Sequence, residues 1–203
     1  YDGERAVGQI ASVPCAYKVR GEYVIASMTM NLSVSSPYRG KGIMGELLSR
    51  IHKANQSLFY VAIPNSESLK GHLRKGYYSV SLACMIRPVM LSNYFYDRQV
   101  AKGFLKPFDF IWRKKKTNSK SKIQEHQSMF DERFDQLFNG IDNQNMITQV
   151  RNSKFLNWRY RTNPRRKYTT FIASRDDGKI EGYIIIRITQ IFGKTCGLIV
   201  DLL

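Results

Sequence analysis

The sequence predicts an α/β (α+β) chain, and three observations predict it. Strand-like and helix-like runs follow one another up to about residue 90 in the order strand, strand, helix, strand, helix, strand, which is the pattern of a layered sheet-and-helix structure. A glycine-rich basic stretch, SSPYRGKGIMGE, joins a strand to an apolar-periodic helix. Near the C-terminal end a hairpin followed by a strand recurs, so that GLIVDLL stands where MTMNLSV stood in the first half.

The elements justify themselves in order. AVGQIASVPCAYKV and EYVIASMTMNLSV read as two strands joined through Arg20, Gly21 and Glu22, a long hairpin. In the second strand the alternation places Val24, Ala26, Met28, Met30, Leu32 and Val34 on one face. IMGELLSRIHKA carries Ile43, Leu47, Leu48, Ile51 and Ala54 at helical spacing. LFYVAI, nearly all apolar, reads as a strand buried on both faces, and Pro64 ends it. SESLKGHLRKG reads as a short helix closed by Gly76, and YYSVSLACMIRPV as a further strand. Beyond Met90 the pattern dissolves into a basic stretch without apolar period, WRKKKTNSKSKIQ, read as an exposed linker over 91–127. Order returns in SMFDERFDQLFNGI, where Phe130, Phe134, Leu137 and Ile141 form a helical stripe with Ser128 as N-cap and Gly140 near the end. SKFLNWRY reads as a second helix, capped by Ser153 and stopped before Pro164. YTTFIAS, IEGYIIIRITQIF and CGLIVDLL are strands, the first two turned at Asp176-Asp177-Gly178. The repeated hairpin-and-strand pattern predicts two related domains, 1–90 and 128–203, the second truncated at its C-terminus. The absent initiating Met and the mid-pattern start at Tyr1 read as a fragment of a longer protein.

Composition narrows the function. At 203 residues with 43% apolar content the chain can bury a real core. The formal charge of +16 favours an anionic partner: nucleic acid, a membrane surface or a phosphate-bearing ligand. Cys15, Cys84 and Cys196 are far apart, with no CxxC pair, which argues against a zinc site or a disulfide framework and for a reducing, cytoplasmic setting. No metal site is expected. No apolar run reaches bilayer length and no signal peptide opens the chain.

The loop carries the chemistry. Gly40 and Gly42 let backbone N–H groups approach a ligand, the helix that follows adds its unpaired amides and the positive end of its dipole, and Arg39 and Lys41 add charge. Such a cradle suits a pyrophosphate. It is neither a Walker A loop, since no GxxxxGK[ST] is present, nor a GxGxxG fingerprint, since the third glycine is misplaced. It resembles motif A of the GNAT N-acetyltransferase superfamily, Arg/Gln-x-x-Gly-x-Gly/Ala, read here as Arg39-Gly40-Lys41-Gly42-Ile43-Met44. Met44 departs from the small last residue, and Gly45 follows one step late. LSVSSPYRGKGI looks like that family's strand, Pro and loop, and PNSESLKGHLRKGY like its Asn, short helix and closing Gly-aromatic pair. FLNWRY looks like a segment of two-domain bacterial and archaeal GNAT-like proteins.

The resemblance covers residues 1–88 and implies a mixed, mostly antiparallel central sheet flanked by helices. It implies acetyl-CoA as cofactor, its pyrophosphate on the amides of Gly40, Lys41, Gly42, Ile43, Met44 and Gly45 beside Arg39. The pantetheine arm would pair along Leu32, Ser33 and Val34, and Asn65 would contact the cofactor. Many members of the family use a Glu base and a Tyr acid; counting through this sequence, the Glu position is Tyr60 and the Tyr position is His72. An imidazole near neutral pKa can protonate a thiolate, whereas a phenol is a poor base at neutral pH. Glu46 and Glu67 read as first-turn charges that support their helices. The expected function is acetyl transfer from acetyl-CoA to a small-molecule amine, with an acidic or phosphorylated acceptor suited to the basic surface. The alternative is a degenerate GNAT-fold module that binds CoA or an anionic partner without turnover. A nucleic-acid-binding reading rests on net charge alone: in NWRYRTNPRRKY, Trp158 and Tyr160 alternate with charge, so one face packs and the other is solvated.

Overall fold

A computed structural model describes residues 2–55, 57–80, 121–141, 146–191 and 193–203. Residues up to Tyr78 and from Ser121 onward form one compact unit, to which all of the elements below belong. It contains two four-stranded sheets and four α-helices among the described residues.

The first sheet starts from the hairpin. β1, Gly8–Val19, pairs antiparallel with β2, Glu22–Val34, across a turn at Arg20 and Gly21, both at positive φ. A short 3₁₀ turn at Ser36–Tyr38 leads to α1, Ile43–Ala54. β3, Tyr60–Ala62, then returns parallel to β2, and α2, Ser66–Arg74, follows. The strand expected over LFYVAI is thus three residues long, and it is half-buried rather than buried on both faces, with Leu58 and Ile63 exposed beside it. Helix α1 covers one face closely: a Cβ on Gly8 would lie 3.1 Å from Ile43 Cγ2 and 3.2 Å from Leu47 Cδ1, so a glycine is what lets this helix approach.

The second sheet holds β4 (Lys122–Glu125), β6 (Thr169–Ser174), β7 (Ile180–Ile191) and β8 (Lys194–Leu202), in the order β4-β6-β7-β8 and antiparallel throughout. The first part of the C-terminal region supplies α3 (Glu132–Asn139), β5 (Ile147–Gln149) and α4 (Ser153–Leu156), which runs on into a π-helical turn at Asn157–Arg161. β5 joins the first sheet, pairing with β1 at Tyr17–Val19, so the sheet order there is β3-β2-β1-β5. Residues 122–125, assigned to the linker from sequence, form β4; the remainder of that linker from 91 to 120, the Lys run at 114–116, Cys84 and most of the strand expected over 77–89 lie outside the described residues. Tyr77–Val80 carry no strand.

Two caps differ from expectation. α3 begins at Glu132 with Asp131 as N-cap, its carboxylate accepting from the Arg133 amide at 3.1 Å, because Ser128 lies too early: Phe130 is bonded through its amide and carbonyl to Asn157, and Asp131 is still extended. α4 is capped by Asn152, which accepts from the Phe155 amide at 2.9 Å, while Ser153 bonds the Asp135 carboxylate through both its amide and its hydroxyl. The stripe of α3 is Phe134 and Phe138, both buried, with Leu137 partly buried. Phe130, Phe134, Leu156, Ile172, Tyr183 and Ile185 are among the residues of the main core between this helix and the second sheet. The Arg161 guanidinium stacks 4.7 Å above the Phe130 ring and donates to the His126 carbonyl at 2.6 Å. Tyr160 is buried, but Trp158 is exposed and Arg161 packs on Phe130, so the aromatics and cations of that segment do not divide between one packed face and one solvated face as expected. Cys15 and Cys196 are free thiols. Among the described residues no helix is long and apolar enough to cross a membrane, and no group of side chains is placed to hold a metal ion.

Candidate functional site

The site begins with an irregularity in β2. Gln9 pairs with Ser33 but Ala11 pairs with Met30, so Ile10 faces both Asn31 and Leu32. That is a β-bulge, and Asn31 absorbs it at φ +55°, a left-handed conformation that Asn tolerates better than most residues. The extra residue reverses the alternation. Val24, Ala26, Met28 and Met30 share one face, but Leu32 and Val34 turn to the other, the face of Gly8 and α1. The single face expected to run through Val34 is therefore broken at the bulge. β3 pairs with β2 only at Ser27–Thr29. From Met30 to Val34, which includes Leu32, Ser33 and Val34, the edge of β2 away from β1 has no strand partner among the described residues.

This open edge leads into the glycine loop. Gly40 and Gly42 stand at φ +78° and +79°, and a Cβ at either would meet nothing within 4 Å, so glycine is required here by conformation and not by crowding. Gly42 is the N-cap of α1; no side chain caps it, and the first helical bond comes from the Glu46 amide to the Gly42 carbonyl at 3.1 Å. The amides of Ile43, Met44 and Gly45 are thus the donors that a helix leaves without an internal acceptor. Arg39 donates from Nε to the Val34 carbonyl at 3.2 Å and lies 3.8 Å from Glu67, both side chains being exposed. The Lys41 ammonium sits 5.1 Å over the Tyr38 ring. Glu46 pairs with Arg50 at 2.8 Å, and that partner holds its carboxyl below the ordinary range. The Met44 side chain, the departure from the motif, lies over Gly71 of α2, within 2.5 Å of where a Cβ would stand. Sequence reading missed Lys75: its ammonium donates to Ser49 Oγ at 2.8 Å and its chain lies beside Gly45. The available signal was its place just before the closing Gly76.

The expected catalytic pair is placed in one cluster, in unequal roles. The Tyr60 hydroxyl donates to the carbonyls of His52, at 3.2 Å, and Asn55, tying β3 to the last turn of α1. His72 is 5% exposed, and its Nδ1 bonds the Ser68 carbonyl at 2.9 Å, which places the proton of a neutral ring on Nδ1 and leaves Nε2 free to accept one. Gly76, at φ +84°, turns the chain back so that the Tyr77 ring meets His72 edge-on, 5.0 Å between centroids at 88°. The Tyr77 hydroxyl reaches His52 Nε2 at 3.0 Å, and His52 in turn lies 4.3 Å from the Tyr60 ring. Burial, then the charges of Lys75 and His72, lowers the His52 pKa; burial raises that of Tyr77. His52 was not singled out from sequence, and Tyr77 entered only as the aromatic of the closing Gly-aromatic pair. Asn65 is the N-cap of α2, its side-chain carbonyl accepting from the Ser68 amide at 2.9 Å and the Ser68 hydroxyl at 2.8 Å.

No protein-family model matches the sequence, and no curated protein matches it. Solved structures do. A GCN5-related N-acetyltransferase from Anabaena variabilis superposes over 100% of this chain and 47% of its own, with a TM-score of 0.60 at 15% identity. A conserved Enterococcus faecalis protein of unknown function, a probable N-acyltransferase, matches over 92% of this chain and 43% of its own, at TM-score 0.58 and 16% identity. Saccharomyces cerevisiae N-myristoyltransferase with bound myristoyl-CoA matches over 94% of this chain and 48% of its own, at TM-score 0.51 and 14% identity. The chain spans less than half the length of these proteins, and at such identities the likeness is one of fold: a GNAT-like α+β fold with mixed and antiparallel sheets.

Proposed function

We propose that the chain is part of an acyl-CoA-dependent acyltransferase that moves an acetyl group from acetyl-CoA to an amine. One observation carries the reading: the β2 edge from Met30 to Val34, without a strand partner among the described residues, leads through a 3₁₀ turn into a helix start that no side chain caps and that two left-handed glycines precede. A long ligand with a peptide-like arm and a pyrophosphate fits that sequence of donors, the arm adding to the strand edge and the phosphates on the helix amides. In this reading Leu32, Ser33 and Val34 hold the pantetheine, the amides of residues 40–45 hold the pyrophosphate, and Arg39, Lys41 and Lys75 supply countercharge. Asn65 offers its amide nitrogen, its carbonyl being committed to the cap. Residues 1–90 form the coenzyme-binding half and 128–203 a related half, in a cytoplasmic enzyme whose acceptor is acidic or phosphorylated. The GNAT-like neighbours support the coenzyme class, and the myristoyl-CoA bound to one of them makes acyl length a variable to measure rather than assume.

Bound coenzyme would supply an activated thioester carbonyl. The chain's own contribution is placement and a proton: transfer to an amine requires one proton taken from nitrogen and one given to the departing sulfur. His72 Nε2, unprotonated while Nδ1 donates to the Ser68 carbonyl, is the atom assigned to take the proton from the amine and then hand it to the departing sulfur. Tyr60, whose hydroxyl already serves two carbonyls, is assigned to holding α1.

The test is ligand-dependent stability. Acetyl-CoA should raise the melting temperature by an amount that grows with its concentration, as mass action requires, and Gly42→Val should abolish the rise by putting a branched side chain at φ +79° beside the phosphates. A folded Gly42→Val protein that still gains the full shift refutes the placement. The second reading, a coenzyme-binding module without turnover, is favoured by the engaged hydroxyl at the Glu position. Hydrolysis of bound acetyl-CoA in the absence of acceptor decides for the enzyme.

A further inference from the structure

A cavity of about 360 Å³ lies where β5, at the end of the first sheet, and β8, at the edge of the second, both contribute to its lining. Its walls include Gln149, Arg151, Phe155, Arg159, Tyr160 and Asp201. The Asp201 carboxylate, on a residue 8% exposed, is fully engaged. It accepts from Arg151 Nε at 2.9 Å, from the Tyr160 hydroxyl at 2.9 Å, and from the Leu202 amide at 2.9 Å. Burial, and then that carboxylate, push the Tyr160 phenol up to about 12, so it stays a donor throughout the physiological range. Arg151 has a further bond, to the Thr148 hydroxyl at 3.1 Å.

Arg159 is different. Its guanidinium lies 5.7 Å from the centre of the Tyr160 ring and donates a hydrogen bond to the Tyr160 hydroxyl, but among the described residues no carboxylate comes within 4.0 Å of it. The cavity therefore holds two guanidiniums against one carboxylate, and that carboxylate is already satisfied by Arg151. A structural ion pair needs no second arginine. A guanidinium fork without a carboxylate partner, next to the Phe155 ring, matches a compact oxyanion attached to an apolar body. The volume falls at the lower end of small-ligand sites.

We propose that this cavity binds a small ligand bearing one carboxylate or phosphate group, with the oxyanion on Arg159 and the free edge of Arg151 and the apolar part against Phe155. The inference concerns a different part of the fold from the glycine loop and stands without the acyl-transfer reading.

Isothermal titration at fixed ionic strength tests it without coenzyme. The probes are phenylacetate, phenyl phosphate, inorganic phosphate and the neutral 2-phenylethanol. Wild-type protein should bind phenylacetate or phenyl phosphate saturably, the better of the two identifying the anion class, while 2-phenylethanol should not bind. Arg159→Gln should weaken the bound probe about tenfold or more, as expected for loss of a hydrogen bond to a charged group. Arg165→Gln, at an exposed cation outside the cavity, should leave the affinity unchanged. Should Arg159→Gln fail to fold, Arg159→Lys, which keeps the charge and loses the fork, must still weaken a carboxylate probe. Absence of saturable binding by any probe overturns the proposal. So does equal weakening by the Arg159 and Arg165 changes, which would mark a general attraction to a basic surface, or equal binding of the neutral alcohol.

Discussion

Tyr60 and His72 divide between them what a position-by-position likeness would have made one catalytic pair. The Tyr60 hydroxyl bridges two carbonyls at the end of α1, where a helix otherwise leaves its acceptors unpaired. Tyr60→Phe removes both bonds while keeping the ring against His52, so the expected result is a loss of about 1 kcal/mol in stability, seen as a lower melting temperature, with the acetyl-CoA-dependent shift retained. His72→Phe keeps an aromatic against Tyr77 and removes the titratable nitrogen. Its expected effect is a fall in turnover at saturating acetyl-CoA of about a hundredfold or more, the range for loss of a positioned proton donor. Unchanged turnover would remove His72 from the mechanism. The sequence made both positions visible; it could not show which side chain was already occupied, because Ser68, His52 and Asn55 enter through their backbone carbonyls and carry no side-chain signal.

Helices with a strong apolar period and a glycine stop were legible from the letters: α1 spans Ile43–Ala54 as the spacing predicts, and α2 closes at Gly76. Short elements were not. β4 and β5 have four and three residues, too few for alternation to be distinguished from loop composition. The β2 bulge was hidden because Leu32 and Val34 continue the apolar alternation in the letters while the register slips beneath them. Helix starts misplaced by a few residues trace to tertiary bonds that local propensity does not contain. Asn157 is the main one: its Oδ1 accepts from the Phe130 amide at 2.8 Å and its Nδ2 donates to the Phe130 carbonyl at 2.9 Å, holding that residue in place just before α3. Asn157→Ala leaves both main-chain groups of Phe130 without that partner, and should cost roughly 2 kcal/mol in chemical denaturation. Asn157→Asp can still accept from the amide and should cost less; equal losses for the two would mean that the packing of residue 157, and not this pair of bonds, sets the stability.

Across the whole molecule, burial is uneven. Among the described residues most buried apolar side chains belong to the second sheet and its helices, while the first sheet contributes Ala26, the segment leading into it Val7, and α1 Leu48. The overall layering was readable because it depends on patterns repeated along the chain; the joining of β5 to β1 was not, since it depends on one short pairing across more than a hundred residues. The two parts share a consequence for acid stability. His52, in the last turn of α1, packs 4.3 Å from the Tyr60 ring in the first, and His126 packs 5.2 Å from Phe134 and 5.7 Å from Phe130 in the second. Burial lowers the pKa of each, so the folded state prefers neutral rings. As pH falls below the ordinary histidine value of about 6.5, the unfolded chain takes up these protons first and gains free energy relative to the fold. The contribution of both rings is therefore complete above that value and is lost progressively as pH falls toward the lowered folded pKa values. Melting temperature should drop on acidification through this window, and His126→Gln, which removes one of the two titrations, should flatten the slope there even though its stability at neutral pH is lower. A slope identical to wild type would show that the His126 ring does not titrate differently in the folded and unfolded chain.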